Sequence, residues 1–277
     1  MMPNMMIPIR LFSVAALALL AACDVSDDDE RALGADYSRQ INEQVPLVTD
    51  SRVTGYVSAL GRQIAQRTSR GGLEWQFFVV NSHDVNAFAL PGGFIYVNRG
   101  LIERSSTLDH LAGVLGHEIG HVVERHSVEQ MKKATGTNIG LTVLCSVTSI
   151  CEGALGQVAV NMAGSALLAK YSRADEAEAD SQAVVNVISA GISPRGIPEF
   201  FRVLMSERKR DPNLLDNFFA SHPLEESRVQ RTQELIEALG DSRVNGLPRD
   251  DQGFQRFKAI VSALPAPPQT ARPNALP

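Results

Sequence analysis

The sequence predicts a mainly helical α+β domain with a small β-sheet, on three observations. Val53, Val57, Leu60 and Ile64 recur at helical spacing, which marks a stripe facing a core. Trp75-Gln-Phe-Phe-Val-Val80 is short and rich in β-formers, and the runs Asn86 to Leu90 and Phe94 to Asn98 flank Pro91-Gly92-Gly93; these compositions read as a strand and a hairpin. The third observation is Leu111-Ala-Gly-Val-Leu-Gly-His117-Glu118-Ile-Gly-His121-Val-Val, an apolar helix pattern interrupted by two histidines and a glutamate.

A chain of 277 residues with a formal net charge of -5 is long enough for one sizeable domain and offers no basic patch, so nucleic acid is excluded as an expected partner. At the amino terminus Arg10 precedes Leu11 to Leu20, an apolar run too short to span a bilayer and suited to a secretory signal. Leu20-Ala-Ala-Cys23 resembles the lipobox of bacterial lipoproteins. Residues 1–22 are therefore expected to be a signal peptide and Cys23 the lipidated residue of a periplasm-facing chain, since several acyl chains on one cysteine make a stable membrane anchor. The competing reading is an ordinary signal peptide with Cys23 incidental. Asp24 leaves the choice of inner or outer membrane open. Asp24 to Glu30, with Asp27, Asp28 and Asp29 in a row, reads as the solvated part of a tether over residues 23–35.

The domain proper is expected over 36–264. Two helical patterns run from about Asp36 to Thr68, broken at Pro46, ahead of the strand and the hairpin. Asn86, Ala87, Phe88 and Ala89 are expected at a sheet edge, where an extended peptide can add as a further strand. Ser106 and Asp109 form a capping box that starts the histidine-bearing helix, which is expected to continue to about Lys133.

On that helix His117 and His121 are one turn apart and can offer both imidazoles to one metal ion, with Glu118 beside them to hold an attacking water. This is the H-E-x-x-H arrangement of a metal-dependent hydrolase. The competing reading is a chance match, two core histidines satisfied by hydrogen bonds. The apolar flanks speak against it, because a buried helix has no use for these groups unless something pairs them. The metzincin continuation is absent, with Glu124 and Ser127 where a glycine and a histidine would stand. His126 is out of step, and with His83 and His110 it reads as structural. Further on, in Tyr171-Ser-Arg-Ala-Asp-Glu176-Ala-Glu-Ala-Asp180, Glu176 and Asp180 share a helix face. Glu176 can complete the ligand set, Asp180 can hydrogen-bond the outer nitrogen of His117, and Glu178 points elsewhere.

With Asn86 to Gly93 ahead of them and Ser221-His222-Pro223 and Arg228 behind, these motifs resemble the HtpX/BepA/LoiP-like gluzincins, zinc metallopeptidases related to the CaaX prenyl proteases. The likeness runs from about Ala35 to about Leu264. It implies a single-domain lipoprotein form with a small sheet beside the metal-binding helix, and one Zn2+ per chain on His117, His121 and Glu176. It further implies Glu118 as general base, and His222 as either an oxyanion donor supported by Arg228 or a fourth ligand that keeps the resting enzyme latent. The implied activity is endopeptidase cleavage of unfolded or misassembled envelope proteins. Two rivals stand beside it: a zinc-stabilised periplasmic chaperone or outer-membrane assembly lipoprotein, and a hydrolase of non-peptide amides.

Cys145 and Cys151 are a possible disulfide or two buried thiols; six residues apart on an unbroken helix their sulfurs would point to different faces, so pairing requires a break. Ile139 to Ala169 is apolar apart from Glu152 but too short for two membrane spans. A single span would separate Glu176 from the histidines, so a helical pair packed on the domain is expected. Beyond it come a helix ending in Glu207-Arg-Lys-Arg210, a loop over Phe218 to Pro223, and helices from about Leu224 to Leu239 and about Gln252 to Leu264. Residues 265–277 read as a disordered, proline-rich tail.

Overall fold

The computed structural model describes residues 25–136, 170–211 and 215–267, and these form helices around one three-stranded sheet, the mainly helical α+β class expected. Strand β3 (Phe94–Asn98) is central, parallel to β1 (Gln76–Val80) and antiparallel to β2 (Ala87–Leu90), so β2 is an edge. The hairpin turns on Gly92 and Gly93, at φ 76° and 98°, a region that glycine enters without a Cβ penalty. A β-carbon on Gly92 would also lie 2.6 Å from Arg31 Cα.

That close approach docks helix α1 (Asp27–Gln44) on the turn. Tyr37 and Ile41 of α1 cover one sheet face, against Val80, Leu90, Phe94 and Tyr96. The Tyr96 hydroxyl lies 2.7 Å from Ser38 Oγ and donates to Asn42 Oδ1 at 2.8 Å. On the other side α2 (Ser51–Ala65) buries Val53, Val57, Leu60 and Ile64, the stripe read from the sequence. Next to it, after the short α3 (Arg99–Arg104), runs α4 (Leu108–Val123), buried along almost its whole length, as a helix apolar on every side must be. After α5 (His126–Gly136) comes α6 (Arg173–Ser189), started by a reciprocal capping box between Ser172 and Asp175. Helices α4 and α6 meet through small residues. A β-carbon on Gly116 would sit 2.9 Å from Val187 Cγ2, and one on Gly120 3.0 Å from the Ala179 carbonyl oxygen. The shell is closed by α7 (Gly196–Arg210), α8 (Asp216–Ser221), α9 (Glu226–Ala238), α10 (Asp241–Val244) and α11 (Gln252–Ser262).

Several expectations are corrected. The acidic run is not a solvated tether from Asp27 onward. It is the first turn of α1, capped by Ser26 Oγ, where carboxylates face the positive end of the helix dipole. Glu30 is fully buried. It accepts from Arg70 Nη1 at 2.9 Å, Arg70 Nη2 at 3.0 Å and Gly92 N at 2.9 Å, and pairs with Arg125 Nε at 3.0 Å. Helix α4 starts from Thr107 and lacks the proposed capping box, because Asp109 turns inward to Arg249 Nε at 2.8 Å. Nor does α4 reach Lys133: Arg125, at φ 58°, breaks the chain into α4 and α5. The expected loop at Phe218 is α8, with His222 as its C-terminal cap.

The signal peptide over 1–22, Cys23, Cys145, Cys151, residues 139–169 and residues 268–277 lie outside the described residues. Among the described residues no helix is long and apolar enough to cross a membrane.

Candidate metal centre and active site

Three elements meet at one buried point. α4 brings His117, Glu118 and His121, α6 brings Glu176 and Asp180, and the end of α8 brings His222. One donor atom each from His117, His121, Glu176 and His222 lies within 4.8 Å of the others. Nε2 of His117 and Nε2 of His121 are 3.0 Å apart. Glu176 Oε1 is 3.5 Å from His121 Nε2, and Oε2 is 3.6 Å from His117 Nε2. His222 Nδ1 sits 3.0 Å from Glu176 Oε1 and 3.4 Å from His117 Nε2.

The donor set fits a divalent cation. Imidazole nitrogens and a carboxylate facing one another away from water are a costly arrangement alone and a ligand set around a positive ion. Among the described residues neither oxygen of Glu118 has a hydrogen bond, although the residue is fully buried; its Oε1 is 3.7 Å from His222 Nε2. A buried carboxylate so placed is suited to take a hydrogen bond from a water beside the ion.

Behind the donors stands a layer of charged groups. Asp180 Oδ1 lies 3.0 Å from His117 Nδ1, where the sequence put it. Arg228 clamps Asp180 with Nε at 2.8 Å and Nη2 at 2.7 Å, pairs with Glu176 through Nη1, and donates to the Pro223 carbonyl at 3.0 Å. It thus holds both acids and ties down the chain next to His222. Burial pushes the Asp180 carboxyl up, but Arg228 and His117 hold it below its ordinary value. For Glu176 burial again opposes ionisation, and the three surrounding histidines keep it well below the carboxylate range. Burial drives His121 well below the ordinary imidazole value. His222 is raised: burial would lower it, and Glu118 and Glu176 override that.

Two features were not read from the sequence. Tyr171 stacks on His121 with centroids 3.9 Å apart and 21° between planes; its one signal was its place just before the acidic motif. His126, set aside as out of step, has Nδ1 2.9 Å from His121 Nδ1, and Glu178, expected to point elsewhere, has Oε2 3.1 Å from His126 Nε2. The break at Arg125 is what brings His126 back. The structure also keeps His110 apart from the donors, against Phe200 and 3.9 Å from Glu199.

Ala87, Phe88 and Ala89 lie on the edge strand β2, which packs against α4, and Asn86 stands just before it with its carbonyl accepting from Asn98 N at 2.9 Å. Ala87 and Ala89 are nevertheless 0% and 3% exposed, so little of that edge is open to solvent in this state.

Comparison with known proteins agrees with the geometry. The family model described as Peptidase family M48 matches residues 51–236. Metalloprotease LoiP of Escherichia coli (strain K12) is 32% identical over 190 residues, 68% of this chain and 71% of that protein. Metalloprotease YcaL of the same organism is 28% identical over 220 residues, 78% of this chain and 83% of that protein. The beta-barrel assembly-enhancing protease of E. coli K12 is 28% identical over 219 residues, covering 76% of this chain. The chain spans only 44% of the length of that relative. With the H-E-x-x-H helix and the downstream glutamate brought to one buried point, and the family model covering most of the chain, this protein belongs to peptidase family M48.

Proposed function

We propose that the chain is a zinc-dependent endopeptidase of the bacterial cell envelope that cleaves unfolded or misassembled polypeptides, held to a membrane through lipidated Cys23. The observation that carries this reading is the buried convergence of His117, His121 and Glu176 with Glu118 alongside. In it those three residues hold one Zn2+ per chain. When bound, zinc polarises a scissile carbonyl and brings the pKa of an attacking water to about 7. Glu118 takes the proton of that water and passes it to the leaving amine. Asp180 orients His117, and Arg228 keeps Asp180 and Glu176 ionised. Substrate pairs by its backbone with Asn86, Ala87, Phe88 and Ala89, which favours unfolded chains over folded surfaces. A relative named for enhancing beta-barrel assembly is in keeping with such quality control in the envelope.

The seating of His222 Nδ1 among the donors favours a latent resting state, in which His222 is a fourth ligand and moves away to serve the oxyanion. The low exposure of Ala87 and Ala89 fits the same closed state. A closed set of four donors also favours a second reading, a zinc-stabilised chaperone or assembly lipoprotein with little proteolysis. Cleavage of an unfolded model protein separates the two. Glu118→Gln should slow turnover roughly a hundredfold or more, and a chelator should abolish it; equal cleavage by wild type and Glu118→Gln would leave the chaperone.

A further inference from the structure

We propose that His126 and Glu178 form a positioning relay behind the ligand His121. The inference rests on the ligand set proposed above. His121 turns Nε2 toward His117 and Glu176, 3.0 and 3.5 Å away, so as a ligand it carries its proton on Nδ1. Nδ1 faces His126 Nδ1 at 2.9 Å, which must then be an acceptor. That choice puts the His126 proton on Nε2, 3.1 Å from Glu178 Oε2. One tautomer of each ring satisfies every contact in the row, and the opposite choice sets two N–H groups or two lone pairs head to head.

The fold supports the relay in a way an unbroken helix cannot. Five residues on from His121, a continuous helix would carry His126 about 140° around the axis. Arg125, at φ 58°, redirects the chain so that the first residue of α5 comes to rest under His121. A left-handed arginine is disfavoured, and this one is held by its ion pair with buried Glu30 at 3.0 Å. With Tyr171 stacked on one face of His121 and His126 fixing Nδ1, the ring has one orientation left. The two histidine ligands therefore have unlike supports. His117 leans on a buried carboxylate neutralised by Arg228. His121 leans on a neutral imidazole whose far end reaches Glu178, with 64% of its side chain exposed. Neither His126 nor Glu178 reaches the reacting atoms.

The test is metal binding to the full chain, read two ways: Zn2+ affinity by competition with a chromophoric chelator, and the visible spectrum of the Co2+-loaded chain. His126→Ala should weaken Zn2+ binding about ten- to a hundredfold and shift the Co2+ bands. His126→Asn, whose Oδ1 can accept from His121 Nδ1, should recover much of both. Glu178→Ala should change both in the same direction by less, and His110→Ala, another buried histidine, should change neither. A folded His126→Ala chain with wild-type affinity and spectrum overturns the relay. Should that variant not fold, an unshifted Co2+ spectrum in Glu178→Ala, at an exposed site, overturns it instead. If the wild-type chain binds neither ion, or binds equally well after His117→Ala, the ligand set itself falls.

Discussion

Arg228 shows how much of this site depends on one cation. Its side chain is 6% exposed and faces Glu176 and Asp180, each 1% exposed at the side chain. Its own ionisation is raised: burial opposes the charge and the two acids outweigh it. Replacing one partner of such a cluster leaves an uncompensated buried charge, which costs about 3–5 kcal/mol. Arg228→Met should therefore lower the unfolding free energy by about that much in urea denaturation, although the unbranched apolar side chain of methionine fills much of the space. His222 makes a different prediction. Its Nδ1 lies in the donor set, so His222→Ala should lower metal affinity, and the direction of the turnover change tells which role dominates. Faster cleavage identifies a latch and slower cleavage an oxyanion donor, while unchanged affinity and turnover would remove both. His117 with His121, and Glu176 with Asp180, were legible in the sequence because each pair shares a helix at a four-residue spacing, which fixes a common face before any fold is known. Arg228 was legible only as a motif position, since Asp180 lies 48 residues away on another helix.

At the scale of elements, the active site is a consequence of how closely α4 and α6 approach. Gly116 and Gly120 lie one turn apart, the same interval that separates the two metal-facing histidines. Their missing side chains let Ala179, Ala183 and Val187 of α6 come into contact with the α4 backbone. Without that approach Glu176 and Asp180 would stop short of the imidazoles, because side-chain length is fixed. Gly120→Val places branched carbon where even a β-carbon meets the Ala179 carbonyl oxygen and Gln182 Cβ at 3.0 Å. Overpacking of this kind costs about 1–3 kcal/mol, and here the strain is relieved by moving the helix that carries a ligand. The expected result is a chain that still folds, as judged by circular dichroism, but binds metal measurably more weakly. A variant with unchanged metal affinity would mean that the helices adjust elsewhere. The sequence announced the helix by its apolar run; the purpose of its glycines became visible only with α6 beside it. The break at Arg125 was hidden for a related reason: no glycine or proline marks it, and the ion pair that holds it comes from Glu30, distant in the chain.

For the whole molecule, the first described helix belongs to the domain. A run of four acidic residues close to the amino terminus has the composition of a solvated segment, and local composition was the wrong guide because the compensating charges come from elsewhere. Arg70 follows α2, and Arg125 lies beyond the metal-binding helix. Arg70 Nη1 also donates to the Val122 carbonyl at 2.8 Å, at the end of α4. Glu30 therefore joins the amino-terminal helix, the hairpin turn through Gly92 N, and the junction that sets His126 under His121. If the acidic run were a tether, Glu30→Gln would change stability by no more than about 0.5 kcal/mol, as exposed substitutions do. In the observed fold it leaves Arg70 and Arg125 facing a neutral amide, with the Gly92 hydrogen bond retained. That loss should be about 3 kcal/mol, or roughly 6–12 °C in Tm for a domain of this size. Glu43→Gln, on the same helix and without a buried partner among the described contacts, is the comparison that isolates the effect. Equal melting of the two variants would return α1 to the status of a tether, and a drop confined to Glu30→Gln would show that α1 is part of the folded domain.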